Sequence, residues 1–403
     1  MLLQTSFEKH VVTYFAPCDP RQGMGGGARV EHMVTALERL GQHITIISYD
    51  GSGELGLTHE NISAGTNIVK MSIPARVPKI MKSLAVPALV LLGLIHTRKN
   101  GLVIAHSPGV SSGLIALLVC QIRRGRLIVD LTDAKDKDTP RAVYEQVLRS
   151  ASVVFAVSHR LEGVARRSGA RCVVHLPTFL DMSRFSRETL ERETTRTSLG
   201  FSQFSKVIGY FGSFARIEGL PILLEAFSTV SREVPEAKLL IVGSRNVKGT
   251  DDIWRIIKDR DLADSVILLP AQPYAEIPKM LGAVDLLVAP KIQAPENEVA
   301  DPIKVYEYLA SGTPCIISSI SEVAFMAQQA EAAFLVETGN AGALSDMILR
   351  VFANGEEAGR YAARGRRLVE SSYSIETATD LIRKTLSAQG SAEPIHEEAG
   401  IVA

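Results

Sequence analysis

Val207-Ile208-Gly209-Tyr210-Phe211-Gly212-Ser213 restarts a pattern that the residues just before it interrupt. Its β-branched and aromatic run reads as a strand. Downstream, Leu220, Leu223, Leu224, Phe227 and Val230 recur at the spacing of one helical face, and Pro221 is tolerated in the first turn of that helix. Strands are expected again near 238–242, 266–269, 285–289, 314–318 and 333–336, with helical patterns between them. Such alternation builds a parallel sheet covered on both faces.

Upstream lies the interruption. From His175 to Thr197 the chain carries Pro177, many charges and few apolar residues, and it reads as a connection between domains. Before it the same rhythm runs once already: a strand at Val11–Phe15, a helix from Gly27 to Leu40, a strand at His43–Ser48, then strands near 102–105, 126–130, 152–156 and 172–175. The expectation is an α/β protein of two doubly wound, Rossmann-like domains facing a central cleft. Their expected spans are residues 1–195 and 196–374. A helix over 375–386 is expected to return to the first domain, and 387–403 to be a disordered tail. Ligands of such sheets bind beyond the carboxyl ends of the strands.

Composition narrows the class. The 403 residues are 46% hydrophobic and 22% charged, which excludes disordered, collagen-like and disulfide-scaffold proteins. Basic and acidic residues balance at 44 each, which argues against a nucleic-acid binder. Cys18, Cys120, Cys172 and Cys315 form no C-x-x-C pair, so neither a zinc site nor a redox pair is expected, and a reducing cytoplasmic compartment fits. Glu8 and Lys9 stand where a signal peptide needs an apolar run. The apolar stretch Leu84–Ile95 is too short to span a bilayer.

Two segments carry chemistry. Gly23-Met24-Gly25-Gly26-Gly27-Ala28 matches a dinucleotide-binding pattern, with Asp50 ending the next strand where a ribose-binding acid would sit. The loop from Pro17 to Gln22 is longer than the tight turn of that fingerprint, yet Gly25, Gly26 and Gly27 can still offer backbone N–H groups to a phosphate or sugar. The second segment is Asp301-Pro302-Ile303-Lys304-Val305-Tyr306-Glu307-Tyr308-Leu309-Ala310-Ser311-Gly312-Thr313-Pro314. Asp301 is expected as the N-cap, Pro302 at the first helical position and Gly312 at the end. Ile303, Tyr306 and Ala310 would face inward with Glu307 at the edge of that face. Lys304 and Glu307 are helix neighbours. Two readings remain open: a surface ion pair, or a sugar-nucleotide site in which Glu307 accepts ribose hydroxyls while Lys304 and the helix N-terminus, with Asp301 and Ile303, meet the diphosphate.

The order of these segments resembles the glycosyltransferase family 4 enzymes of GT-B fold. Gly25-Gly26-Gly27 with Leu40-Gly41-Gln42-His43-Ile44-Thr45 is similar to the family's opening motif. Phe155-Ala156-Val157-Ser158 and Leu176-Pro177-Thr178-Phe179-Leu180-Asp181 resemble its linker. Tyr210-Phe211-Gly212-Ser213, Glu218-Gly219-Leu220 and Leu224-Glu225-Ala226-Phe227 resemble the entry to its second domain, and Glu307–Pro314 its "E-A-M-A-x-G-x-P". The resemblance implies metal-independent, retaining transfer of a sugar from a UDP- or GDP-sugar to a glycan or lipid-linked acceptor. It implies the donor on the second domain, the acceptor on the first, and no resident cofactor.

Departures stand beside it. The family's phosphate-binding Arg and Lys fall on Ser213 and Glu218, the first Glu of its E-x7-E pair on Val299, and its usual His on Thr132, with Asp133 in place. Arg216 and Lys304, with backbone N–H groups near Gly212 and Ile303, are the candidates to replace the lost cations, and Lys248 is a further one. Eight of the nine histidines precede residue 176, and His106 follows a strand, so any imidazole comes from the first domain. An NAD-dependent oxidoreductase, a nucleotide-sugar epimerase and a non-catalytic GT-B subunit remain alternatives.

The neutral total hides an asymmetry. No acidic residue lies between Glu60 and Asp130, while Lys79, Lys82, Arg98, Lys99, Arg123 and Arg124 do, around the apolar segments Leu84–Ile95 and Gly113–Ile122. Basic residues bracketing apolar helices suit an anionic membrane surface. Buried helices with solvated basic ends are the plainer reading. A peripheral place on the cytoplasmic membrane face is the expectation for this region.

Overall fold

The structure is a computed structural model that describes residues 11–17, 19, 25–50, 56–73, 85–186, 192–243 and 250–388. It divides into two compact units, Met1–Pro177 with Ile375–Val402, and Thr178–Ser374.

In the first unit the chain alternates β1 (Val11–Ala16), α1 (Gly25–Arg39), β2 (His43–Asp50), β3 (Gly56–Asn61), β4 (Thr66–Ser72), α2 (Ala85–His96), β5 (Leu102–His106), α3 (Ile115–Arg123), β6 (Arg126–Leu131), α4 (Arg141–Ser150), β7 (Val153–Ala156), α5 (His159–Arg167) and β8 (Val173–His175). The sheet order is β3-β4-β2-β1-β5-β6-β7-β8, parallel except for the β3–β4 pair. The central strands β1, β5 and β6 are buried along nearly their whole length, as parallel strands covered on both faces must be.

The second unit runs α6 (Arg192–Ser198), β9 (Lys206–Phe211), α7 (Leu220–Glu233), β10 (Ala237–Gly243), α8 (Thr250–Asp259), β11 (Val266–Pro270), α9 (Ile277–Ala283), β12 (Leu286–Ala289), α10 (Pro295–Val299), α11 (Ile303–Ser311), β13 (Cys315–Ser318), α12 (Glu322–Gln329), β14 (Phe334–Val336), α13 (Ala341–Ala353) and α14 (Gly355–Ser372). Its sheet, β11-β10-β9-β12-β13-β14, is wholly parallel. Strand alternation sends Val207, Phe211, Leu240, Val242 and Leu287 into one apolar cluster. Ile208, Tyr210, Leu239, Ile241 and Leu286 enter another. The period of two thus fills a separate core on each face. The face of α7 read from the sequence, Leu220 to Val230, lies wholly in the second cluster.

A final helix, α15 (Ile375–Ala388), packs on α1 of the first unit, where Arg39 Nη1 donates to Glu376 Oε1 at 2.5 Å. Every strand expected from the sequence is present, within a residue of its expected ends except β2, which runs two residues further to Asp50. β3 and β4 were not foreseen. All six residues of β3 are exposed, and Leu57 is 58% exposed, so no apolar alternation marks it. Among the described residues no helix is long and apolar enough to cross a membrane.

Candidate functional site

Helix α11 is fixed to β9 by one side chain. Tyr308, fully buried, accepts a hydrogen bond from Phe211 N at 2.9 Å and donates to Phe211 O at 3.2 Å. One turn earlier, Lys304 is therefore presented to the loop that follows β9. A side-chain carbon added at Gly212 would stand 2.5 Å from Lys304 Nζ. A carbon added at Gly243 would collide with the Gly212 carbonyl oxygen, so glycine at 243 lets the ends of β9 and β10 approach.

Lys304 does not pair with Glu307. Its Nζ lies 2.5 Å from Glu218 Oε2 and 3.3 Å from the Tyr210 hydroxyl, and 4.8 Å above the Tyr210 ring centroid. Glu218 Oε1 meets a second, buried cation, Lys291 Nζ, at 3.2 Å. Lys291 also donates to Asn297 Oδ1 at 2.8 Å, and Asn297 Nδ2 donates to the Ile217 and Ile292 carbonyls. Burial works against ionisation of Glu218, but Lys304 and Lys291 prevail and bring its pKa down to about 2. Burial, with Lys304 nearby, lowers the Lys291 pKa against the opposing pull of Glu218. Two cations and one carboxylate leave this cluster with a net positive charge.

Glu307 lies deeper than expected, 6% exposed rather than at the edge of the helix face. Burial raises its pKa, opposed by the neighbouring Tyr274 hydroxyl and by the charges of Lys304 and Arg184. The Arg184 guanidinium sits over the Tyr274 ring at 5.1 Å from its centroid.

The expected helix cap is corrected. Helix α11 begins at Ile303, Pro302 occupies the N-cap rather than the first helical position, and no side chain caps it. Asp301 is engaged elsewhere: Oδ2 accepts from Thr178 N at 2.6 Å and Oδ1 from the Tyr306 hydroxyl at 2.8 Å. The opening N–H groups of α11 thus lack a side-chain acceptor, which is what an anion site at a helix start requires. Gly312 ends the helix in the left-handed region, φ +69°, as expected. Ser213 contributes its carbonyl, which accepts from Tyr210 at 2.6 Å. Arg216 is exposed on the 3-10 turn Arg216–Glu218, and Val299 ends α10.

The first unit assembles a second group. Gly25, Gly26 and Gly27 form the first turn of α1, and a carbon added at Gly26 would stand 3.8 Å from His106 Nε2. His106 is buried at the end of β5, with Nδ1 3.5 Å from Asp130 Oδ2 and Nε2 3.5 Å from Thr132 Oγ1. Arg29 Nη2 lies 2.9 Å from Asp130 Oδ1 and 3.1 Å from the Leu176 carbonyl. Burial resists the charge on Asp130, yet Arg29 and His106 hold its carboxyl far below the usual range. Ser107, directly after His106, is a non-glycine residue at φ +72°. Backbone strain of this kind concentrates at working sites. Asp133 is exposed and accepts from Thr132 at 3.0 Å.

Near these strand ends is a cavity of about 360 Å³, with an apolar wall that includes Ala85, Leu89 and Ile115 and a polar rim at Tyr49, Ser111 and Asp136. Of the basic face, Arg98 and Lys99 are exposed, Arg123 Nε donates to the Leu94 carbonyl at 3.1 Å, and Lys79 and Lys82 lie outside the described residues. Gly23, Asp50's side chain, Lys248 and the tail from 389 also lie outside them.

Sequence reasoning missed Arg29, Asp130, Tyr274 and Lys291. Their partners lie far along the chain, and the only local signal was a lysine, Lys291, two residues after the apolar strand β12.

Two family models match. "Glycosyl transferase 4-like domain" covers residues 24–177 and "Glycosyl transferases group 1" covers residues 191–368, together most of the chain. A D-inositol 3-phosphate glycosyltransferase of Segniliparus rotundus is 30% identical over 132 residues, 32% of this chain and 28% of the relative. A GDP-mannose-dependent monoacylated alpha-(1-6)-phosphatidylinositol monomannoside mannosyltransferase of Corynebacterium glutamicum is 27% identical over 218 residues, 53% of this chain and 56% of the relative. The chain thus spans between about a quarter and six-tenths of the first curated relatives it matches. The crystal structure of the Anabaena HepE protein in complex with UDP-glucose shares the fold, with a TM-score of 0.73 at 16% identity over 94% of this chain and all of that one. The chain belongs to the group 1 glycosyltransferases of glycosyltransferase family 4, with the GT-B fold.

Proposed function

We propose that this protein moves a sugar from a nucleotide-sugar donor to a glycan or lipid-linked acceptor, retaining the anomeric configuration and using no metal. The observation that carries the reading is Lys304, held by Glu218 at the uncapped start of α11, one turn from the buried Glu307. In this reading the second unit binds the donor. Glu307, buried beside Tyr274, accepts the ribose hydroxyls. Gly212, Ser213, Asp301 and Ile303 shape the diphosphate pocket, and Arg216 closes its exposed side.

Cleaving the bond between the anomeric carbon and the diphosphate leaves growing negative charge on the leaving oxygen. Donors already in place stabilise that charge without reorganisation. Lys304 and the free N–H groups of α11 are such donors, and the helix dipole adds to them. Lys291 maintains the ionised state of Glu218 and, through it, the position of Lys304. Within the first unit, His106 and the glycine turn at Gly25–Gly27 lie together and, with Asp133, are its candidate sugar-binding groups. The cavity beside Leu89 and Asp136 takes the acceptor.

Titrating the protein with UDP-, GDP- and ADP-sugars in a thermal-shift panel tests the donor site. Stabilisation by one nucleotide series, lost in Lys304→Ala, is expected. No response to any of them removes the reading. Turnover in the presence of EDTA tests metal independence.

A membrane-side acceptor is supported by a separate observation. On α2 and α3, Leu91, Ile95 and Ile122 are each at least 60% exposed, with Arg98 and Lys99 exposed after α2. Apolar side chains in water beside cations suit an anionic bilayer surface.

A further inference from the structure

The first unit contains a larger cavity, about 610 Å³, whose lining includes Gln121, Arg124, Gln146, Arg149, Ser152 and Arg171. It lies where α3 and α4 end and where β6, β7 and β8 begin. The sheet is parallel here, so His106, at the carboxyl end of β5, is on the far side of it. Strand length puts roughly 15 Å or more between the two ends. This cavity is therefore separate from the groups described above.

Its chemistry is one-sided. Three arginines line it and, among the described residues, no carboxylate does. Arg149 reaches Glu145 at 3.5 Å, but Arg141 holds the same carboxylate at 2.6 Å. Arg124 and Arg171 make no ion pair among the described residues. The ends of α3 and α4 bring about half a negative charge each. Three guanidinium groups outweigh them. The remaining polar lining, glutamine amides and serine hydroxyls, can complete a shell of donors.

Arg124 supplies an independent sign. It stands just past α3 in the left-handed region, φ +54° and ψ +35°. Glycine is the ordinary residue there because a side chain costs steric energy. Arg124 is one of five non-glycine residues at positive φ among the described residues, and its exposed side chain lines the cavity together with the exposed Arg149 and Arg171. The Arg149 stem is packed in turn against Gly169, where a side-chain carbon would stand 2.7 Å from its Cγ. That contact ties α4 to the loop carrying Arg171.

We propose that this cavity binds a phosphate-bearing anion, gripped by the guanidinium forks of Arg124, Arg149 and Arg171. Planar guanidinium groups pair with phosphate oxygens two bonds at a time. The phosphate can come from a soluble molecule or from a lipid headgroup, since Ile122, 61% exposed, is two residues from Arg124.

The test uses the full chain carrying Lys304→Ala, so that the donor site does not report. Millimolar inorganic pyrophosphate should raise Tm by a few degrees. Adding Arg124→Gly and Arg171→Ala should abolish that rise. Without ligand, Arg124→Gly alone should leave Tm unchanged or higher, because glycine relieves the left-handed backbone; this separates lost binding from lost folding. A second arm sediments the same proteins with phosphatidylglycerol vesicles. Sedimentation lost together with the arginines assigns a lipid phosphate, and sedimentation retained while the Tm response is lost assigns a soluble one. If neither the pyrophosphate response nor sedimentation depends on Arg124 and Arg171, the proposal is overturned.

Discussion

Glu218 Oε2 lies 2.5 Å from Lys304 Nζ, so an acid occupies a place where the resemblance leads one to expect a base, and it holds a base that enters from another helix. The positive charge facing the start of α11 is thus supplied by Lys304, with Lys291 behind it, rather than by the 3-10 turn itself.

Replacing Glu218 by Gln should lower stability and flatten its acid dependence. The folded pKa of Glu218, about 2, lies below the ordinary 4.5. Its contribution is therefore present above pH 4.5 and lost as pH falls from there toward 2. The full contribution is on the order of 3 kcal/mol. Urea unfolding of both proteins at pH 3 and pH 7 should show a difference at pH 3 that has fallen to less than half of its pH 7 value.

Lys304→Ala should reduce kcat/KM by about 10²–10³-fold, the cost of losing one preorganised donor to a developing charge. Thermal unfolding of the variant should remain cooperative. Wild-type kinetics in this protein would remove Lys304 from the site.

Glu307→Gln should separate stability from activity. Burial raises the Glu307 pKa, so its ionised form is disfavoured in the fold and the carboxylate costs stability above its unfolded pKa. The amide should therefore raise Tm at pH 7. It should also weaken the donor by about tenfold or more, through loss of a charged acceptor to the ribose. Paired Tm and donor-titration measurements check both signs.

Arg29→Met should destabilise the first unit by about 3–5 kcal/mol, because it leaves the fully buried Asp130 charge uncompensated. The double variant Arg29→Met/Asp130→Asn should recover part of the loss, which chemical denaturation would show.

Leu91→Ser with Ile95→Ser should leave Tm nearly unchanged, since both side chains are exposed, and should reduce flotation with anionic liposomes at low salt. Equal flotation of variant and parent would detach the membrane reading from α2.

Much of the fold was legible because buried parallel strands write themselves as short β-branched runs, and α7 declared its apolar face by spacing alone. β3 escaped because exposed edge residues such as Leu57 and His59 carry no such pattern. At the site, Lys304 and Glu307 could be singled out from one helix. Their partners could not: Glu218 and Lys291 are 73 residues apart, and Tyr274 meets Glu307 from a separate turn. The capping of α11 was misread for the same reason, since Asp301 is drawn away by Thr178, 123 residues earlier.

The return of α15 to α1 gives the first unit two sequence segments and the second only one. A fragment ending at Pro177 would leave the α15-facing side of α1 bare to water and would be prone to aggregate. The stretch Thr178–Ser374, by contrast, closes on itself: Leu180 N donates to the Tyr373 carbonyl, and Leu180 bridges Ser374. Dissection of the enzyme is therefore one-sided. The second unit can be excised as a single continuous piece, while the first must be rebuilt by circular permutation or by grafting its last helix onto its front.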